Sequence, residues 1–272
     1  MQNYLFVIAA VLYAGCAFLP ISQRVAISIG SALAWTLHGL ALWSDVMVAE
    51  YLRLGFAQML SAAMWISVAV YWVENRNMAL DSMRVLMLPV AAVAALLPIV
   101  FPGSLMSLQD KTVLFPWHVA IALLAYSTLT TAAFHAVLMA VQESYLHAHR
   151  GLLNESKGGW YAAAIGRLPA LLTMEKMLFR LIGIGFFLLT LTVVSGLLFS
   201  EQLFGKALTW DHKTIFTLLS WVLFGVLLAG RHWRGWRGKT ALTFTLTGFV
   251  TLLLAYVGSR FVLEVVLHRG LA

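Results

Sequence analysis

Eight long apolar runs limit what this chain can fold into more than any other feature of its sequence. They cover approximately residues 3–20, 26–43, 53–73, 83–101, 117–141, 177–200, 213–230 and 240–263. An α-helix needs about 20 apolar residues to cross the hydrocarbon core of a bilayer. The runs are too long, and alternate too little, for the strands of a membrane β-barrel. The sequence therefore predicts an all-α, polytopic membrane protein with a bundle of about eight transmembrane helices.

The composition agrees with this class and excludes others. Of 272 residues, 61% are hydrophobic and 11% are charged, whereas a soluble domain carries about 25% charged residues. Lys and Arg outnumber Asp and Glu by 18 to 11, but they lie in short segments between the runs, so we expect no nucleic-acid binding. The single cysteine, Cys16, excludes an intrachain disulfide or a CxxC redox pair. We expect one membrane domain, residues 1–272.

The distribution of Lys and Arg predicts how the bundle is oriented. After runs one, three, five and seven come Arg24, Arg76, Arg84, Arg150, Lys157, Arg167, Lys176, Arg231, Arg234, Arg237 and Lys239. The other connections and the tail carry Arg53, Lys111, Lys206, Lys213 and Arg269. Cytoplasmic loops carry the excess of Lys and Arg, so both termini are predicted to be extracytoplasmic. On this topology His118, Trp210–Asp211 and His268 all fall at the outer end.

Two imidazoles that flank an indole on one surface suit a flat ligand that contains iron. Neutral imidazole is a common axial ligand of heme iron, and an indole can stack on a macrocycle. His118 and His268 are therefore predicted axial ligands, with Trp210 and Asp211 beside them. The alternative for His118 is an interfacial residue beside a belt tryptophan, and the alternative for Asp211 is a helix N-cap.

A polar ladder precedes His268. Glu264 lies four residues before His268 and four after Arg260, and residues at this spacing share a helix face. Glu264 is placed to orient the His268 imidazole through a hydrogen bond. The alternative is that Glu264 only pairs with Arg260.

The other histidines fall elsewhere. His232 lies just after the seventh run, at its inner end. It is predicted to be an inner heme ligand or propionate clamp, and the alternative is that it belongs to a basic interfacial anchor. His135 is seventeen residues beyond His118, about 25 Å along a helix, and cannot share its site. His38 lies within the second run, at a depth that makes it a functional candidate. His147 and His149 form a weak metal-binding pattern.

Several motifs occur in a fixed order along the last part of the chain. They are Trp210-Asp211-His212-Lys213, Leu218-Leu219-Ser220-Trp221, Gly235-Trp236-Arg237-Gly238-Lys239, Gly248-Phe249 and Leu267-His268, with His118-Val119 and Ala125-Tyr126 upstream. This series resembles the cytochrome c assembly protein family, the heme-handling membrane proteins of CcsA/CcmC type, and within it the YpjD-like subgroup. The resemblance covers about 115–270 well and runs one to four loosely.

The resemblance implies that heme is bound at the extracytoplasmic face, under a tryptophan-rich loop and between two histidines. By matching position these residues are Trp210, Asp211, His118 and His268, and His232 matches a family histidine at the inner end of the next helix. The chain departs from the pattern at some positions. The tryptophan-rich loop keeps one Trp, His212 stands in place of a proline, Thr214 in place of a glutamate, and Arg269-Gly270 in place of Ser-Tyr.

These observations predict a multi-pass protein of a bacterial inner membrane that holds non-covalent, b-type heme for cytochrome c assembly. Its expected partners are heme, an apocytochrome c or another membrane protein, and the lipid bilayer. No acid–base or nucleophile constellation stands out, so we expect a heme holder rather than a catalyst. Two alternatives remain open. One is a transport or accessory protein with Gln58, His38, Arg260 and Glu264 along a path, and the other is a membrane scaffold that does not bind heme.

Overall fold

Long α-helices make up most of the molecule. The structure, a computed structural model, describes residues 2–48, 50–77, 83–107, 112–148, 168–198, 200, 210–258 and 261. Within these residues the helices are α1 (Gln2–Phe18), α2 (Arg24–Val46), α3 (Phe56–Asn77), α4 (Arg84–Val100), α5 (Leu114–Ala148), α6 (Leu171–Leu198), α7 (His212–Arg234) and α8 (Gly238–Leu253). A 3₁₀ turn, Ile21–Gln23, leads into α2, and a π-helical turn, Leu254–Gly258, continues α8.

The helices are apolar enough to lie in a membrane. Among the described residues, six helical segments are long and apolar enough to cross a bilayer, and they contain α2, α3, α5, α6, α7 and α8. The chain is thus a mostly helical, polytopic membrane protein, as predicted. The two other apolar helices, α1 and α4, have 17 residues each, or about 25 Å of length. Whether they also span the membrane stays a prediction, as does the placement of both termini.

A small antiparallel sheet, which the all-α prediction lacks, joins the helix ends near α5. Its strands are β1 (Met47–Val48), β2 (Tyr51–Leu54) and β3 (Ser104–Ser107), in the order β1-β2-β3. The strands have two to four residues each, which is too short for an alternating pattern to emerge. The third apolar run was predicted to start near residue 53, but that residue lies in β2, and α3 begins at Phe56.

Consecutive helices other than α4 and α5 pack antiparallel, and small residues let them approach closely. A Cβ at Gly185 of α6 would lie 2.6 Å from Leu129 Cδ2 of α5, and one at Gly248 of α8 would lie 3.0 Å from Phe224 Cζ of α7. Ser220 of α7 also donates a hydrogen bond across the interface to the Gly248 carbonyl, at 2.8 Å. Such contacts are typical of helix interfaces in membranes, where close packing replaces the hydrophobic effect.

The bundle has two distinct ends. The His118 end holds the sheet, the starts of α3, α5 and α7, and the ends of α2, α4, α6 and α8. There the ring of Phe56 lies 5.1 Å from that of Phe101 and 5.5 Å from that of Phe261. The opposite end, here the Glu175 end, holds the start of α6. The described Lys and Arg side chains at the Glu175 end are Arg24, Arg84, Lys176, Arg180, Arg231, Arg234, Arg237 and Lys239, whereas those at the His118 end are Arg53 and Lys213.

The Gly-Trp-Arg-Gly motif forms the tight turn between α7 and α8 at the Glu175 end. Gly235 caps α7 with φ +66°, and Gly238 has φ +53°, a left-handed conformation that glycine adopts without strain. Trp236 folds back onto Gly230, where a Cβ would lie 2.3 Å from its Cε3 atom. The motif is therefore explained by the geometry of a helical hairpin.

A buried carboxylate fastens this hairpin to α6. Glu175 Oε1 lies 2.7 Å from Arg231 Nη1 and 3.1 Å from Arg237 Nε. The Arg231 guanidinium also lies 4.6 Å from the centre of the Phe179 ring, which is a favourable distance for a cation–π contact. Arg237 of the motif, and Arg231 before it, thus have a structural role at this end of the molecule.

Candidate functional site

His118 lies in the second turn of α5 and is half-buried. The helix begins at Leu114, three residues before the predicted start at 117. Pro116 therefore sits inside the first turn, where its missing N–H removes no hydrogen bond, since the first N–H groups of a helix have no partner within the helix. The start of α5 packs under the sheet, because Phe115 is buried against Leu54.

The His118 side chain is held by a hydroxyl from α6. Its Nδ1 atom lies 2.8 Å from Ser195 Oγ, and Ser195 Oγ donates to the Thr192 carbonyl at 3.1 Å. Because the hydroxyl proton is used on that carbonyl, Ser195 accepts the Nδ1–H of the imidazole. This tautomer carries its lone pair on Nε2, which is the form that ligates a metal while the other nitrogen is held by a hydrogen bond.

A glycine lies beside the same imidazole. A Cβ at Gly196 would come 3.6 Å from His118 Cε1, so the backbone of α6 runs close to the ring edge. The Ser195-Gly196 pair thus orients the ring from the side of α6. Ser195 was not predicted from the sequence. The Ser195-Gly196 pair is visible as two small residues near the end of an apolar run, but this pattern does not show which residue the pair contacts.

Trp210 and Asp211 lie at the same end of the bundle as His118. Trp221 of α7 donates its Nε1–H to Thr190 Oγ1 at 2.9 Å and stacks on Phe186 of α6. Since α7 runs antiparallel to α6, the start of α7 lies beside the end of α6 that holds Ser195. The exposed fraction of Trp210 is 70%. An accessible indole is thus present at the His118 end.

Asp211 is the N-cap of α7, which confirms one of the two predicted roles. Its Oδ1 accepts hydrogen bonds from Thr214 N at 2.9 Å and from Thr214 Oγ1 at 3.0 Å. An Asp at this position satisfies backbone N–H groups that the helix leaves without partners. Thr214 thus supplies both donors, one from its backbone and one from its hydroxyl. The cap fixes the position of Trp210, the residue before it.

Of the other predicted site residues, His232 lies far from His118, and His268 lies outside the described residues. His232 is exposed near the end of α7, at the Glu175 end, so it does not join His118. His268 lies beyond the described residues, and so do Arg260 and Glu264. The predicted pairing of His118 with His268 and the polar ladder therefore stay predictions. Phe261, the last described residue, contacts Phe56 at the His118 end.

Three other described histidines, His38, His135 and His147, bond within the bundle or along their own helix. His38 is buried, and its Nε2 lies 2.8 Å from Ser61 Oγ. His135 Nε2 lies 3.0 Å from Glu74 Oε2, towards the Glu175 end, as its distance from His118 predicts. Among the described residues, no group of three or more His, Cys, Asp and Glu side chains is arranged to hold a metal ion. The predicted metal-binding pattern of His147 and His149 stays a prediction, because His149 lies outside these residues.

Two residues of the predicted transport path, Gln58 and His38, bond within the bundle, and the other two lie outside the described residues. Gln58 donates to Asp45 Oδ2 at 3.2 Å, and Arg53 Nη1 donates to Asp45 Oδ1 at 2.7 Å. This network ties the end of α2 to β2 and the start of α3. Gln58 thus anchors the sheet, and His38 bonds to Ser61 of α3.

The surroundings of His118 fit a flat, largely apolar ligand such as heme. The exposed fractions of Trp117, Leu198 and Trp210 are 68%, 71% and 70%. One oriented imidazole, an indole and apolar side chains are the groups that hold a porphyrin in proteins. Tryptophans in such places also serve as interfacial anchors, and the same residues can do both.

The chain was compared with known proteins. It matches the profile described as "Cytochrome C assembly protein" over residues 26–267. The inner membrane protein YpjD of Escherichia coli strain K12 is 32% identical over 149 residues, which are 55% of this chain and 52% of that protein. The cytochrome c biogenesis protein CcsA of Trieres chinensis is 26% identical over 161 residues, 53% of this chain and 52% of the relative.

A second CcsA protein, from Gloeobacter violaceus, is 33% identical over 92 residues, 34% of this chain and 27% of that protein. The chain thus spans about half the length, or less, of the curated relatives it matches. No solved structure matches it significantly.

Proposed function

The chain belongs to the cytochrome c assembly protein family, and on this premise we propose that it holds heme at the His118 end of its bundle and presents it for cytochrome c assembly. The observation that carries the proposal is the hydrogen bond between His118 Nδ1 and Ser195 Oγ. This bond orients the imidazole and leaves the lone pair on Nε2. The names of the CcsA relatives, cytochrome c biogenesis proteins, support the same role.

In this proposal His118 and His268 are the axial ligands, and the heme is b-type and bound without covalent bonds. Trp210 stacks against the macrocycle, and Asp211 holds Trp210 in place by capping α7. Lys213, near the start of α7, neutralises a propionate. His232, at the Glu175 end, serves as a separate heme ligand or propionate clamp on the inner side.

In this proposal the chain holds heme, and the thiols for covalent attachment come from the acceptor protein. When bound, heme supplies the redox-active iron and the vinyl groups that react with cysteines of an apocytochrome. This chain has one cysteine, Cys16, which is buried in the core with an exposed fraction of 4%. The acceptor protein must therefore bring its own thiols. The work of this chain is to bind, orient and shield the heme.

The proposed location is the bacterial inner membrane, with eight spans and both termini extracytoplasmic. The excess of described Lys and Arg at the Glu175 end supports placing that end in the cytoplasm. The YpjD relative is called an inner membrane protein. An apocytochrome c, or another membrane protein, would approach from the outer side, where Trp210 is exposed.

The test is the level of c-type cytochromes in cells that lack this protein and carry variants of it. We expect His118→Ala to lower the level as far as loss of the protein does, because the iron loses a ligand. The matched control is His147→Ala, since this exposed histidine bonds only to the Glu143 carbonyl in the described contacts. Normal cytochrome levels with His118→Ala, or in cells without the protein, would favour a scaffold that does not handle heme.

A further inference from the structure

A cleft at the Glu175 end has no role in the proposed heme site. Its volume is about 680 Å³, and it lies between the first half of α2, the end of α3 and the start of α4. Arg24 and Arg84, the first residues of α2 and α4, line its mouth. Thr36 lies at its far end, twelve residues along α2 from Arg24, or about 18 Å deeper at 1.5 Å per residue.

Arg84, at the mouth, forms no ion pair with an acidic side chain among the described residues. Arg84 is buried, with an exposed fraction of 6%. One guanidinium nitrogen donates to the Leu19 carbonyl at 2.8 Å, and within the described parts of the chain its Nε has no acceptor. The described residues that line the cleft include no Asp or Glu. A buried cation without an anion is costly, so this position favours a ligand that brings a negative charge.

The deeper part of the cleft is apolar and rigid. Val68 and Leu88 are buried there, and Trp35 forms part of the wall. Trp35 stacks on Trp65 with ring centres 4.7 Å apart, and each indole N–H donates to the other residue's carbonyl, at 3.0 and 2.8 Å. The wall is therefore already in place before any ligand binds.

The cleft is also open towards the surrounding lipid. Trp72, in its lining, has an exposed fraction of 40%, and Ser28 and Thr36 are exposed as well. Ala32 and Ala69 leave the space between α2 and α3 unfilled. An elongated apolar group could therefore enter from the side, with its polar end at the level of Arg24 and Arg84.

We propose that this cleft binds an anionic phospholipid, with the phosphate against Arg84 and Arg24 and one acyl chain along Trp35 and Leu88. A basic pocket between transmembrane helices on the cytoplasmic side is suited to such head groups. The described lining has no His, Met or Cys, so it lacks the side chains that most often ligate heme iron. The proposal does not depend on the proposed heme function.

The test uses the full chain, delipidated in detergent. The protein is titrated with phosphatidylglycerol or with phosphatidylcholine that has the same acyl chains, and native mass spectrometry counts the bound lipid. We expect the anionic lipid to bind the wild-type protein more tightly. Arg84→Gln should weaken its binding about tenfold, because a charge-assisted contact to phosphate is lost. Arg234→Gln is the matched control, since this arginine is exposed at the same end but outside the cleft.

A second variant, Ala32→Phe, keeps Arg24 and Arg84 and fills the apolar part of the cleft. Ala32→Phe should abolish phosphatidylglycerol binding even if Arg84→Gln fails to fold, because its ring occupies the acyl-chain path. Equal affinity for the two lipids, or equal effects of Arg84→Gln and Arg234→Gln, would overturn the proposal. So would inorganic phosphate that binds as tightly as the lipid, because the ligand would then be a free anion.

Discussion

At the scale of single residues, the site depends on a contact that the sequence does not reveal. His118 could be selected from the sequence because a histidine at the start of an apolar run is unusual and matches a family motif. Ser195, 77 residues later, could not, because serines near helix ends are common and periodicity gives no partner across helices. The cap at Asp211 could be predicted, since it depends only on the next three residues.

The first prediction concerns Ser195. Ser195→Ala should weaken heme binding about tenfold, because a hydrogen bond to the other ring nitrogen of a ligating histidine fixes its tautomer and orientation. The measurement is a heme titration of the purified protein, followed by absorption. Ser127→Ala on α5 is the control, since its hydroxyl donates only within its own helix, to the Leu123 carbonyl at 2.6 Å. Equal affinities for the two variants would mean that Ser195 does not position the ligand.

At the scale of elements, the helices could be predicted and the sheet could not. Each helix overlaps one apolar run, because length and hydropathy are properties of the local sequence. The observed helix boundaries differ from the predicted ones where the local sequence is ambiguous. For example, α6 starts at Leu171 rather than at 177, although its first turns contain Glu175 and Lys176. The reason is that Glu175 pairs with Arg231 and Arg237, a tertiary interaction that offsets the unfavourable hydropathy.

The second prediction tests the α7–α8 hairpin. Gly230→Ala should lower the stability of the solubilised protein by about 1–3 kcal/mol, the usual effect of overpacking, because its Cβ would collide with Trp236. The measurement is the thermal midpoint in detergent. Gly183→Ala on α6 is the control, because a Cβ there meets nothing within 4 Å. If both variants melt like the wild-type protein, Trp236 does not pack on Gly230 as described.

At the scale of the whole molecule, the number of times the chain crosses the bundle decides which residues lie at the same end. With consecutive helices antiparallel, the starts of α5 and α7 must lie at one end, and the sequence could predict this from the runs alone. Most of the described Lys and Arg side chains lie at the opposite end, and the orientation of the bundle in the membrane stays a prediction. The cleft between α2, α3 and α4 could not be predicted, because it depends on how three helices diverge rather than on any one run.

The most direct test of the account is the absorption spectrum of the purified, heme-loaded protein with His118→Gly, measured with and without added imidazole. We predict that the wild-type protein binds heme with two histidine ligands. The glycine variant should lose this spectrum and recover it when imidazole fills the vacated space. An unchanged spectrum for His118→Gly without imidazole, or no heme absorption in the wild-type protein, would contradict the claim that His118 holds the iron.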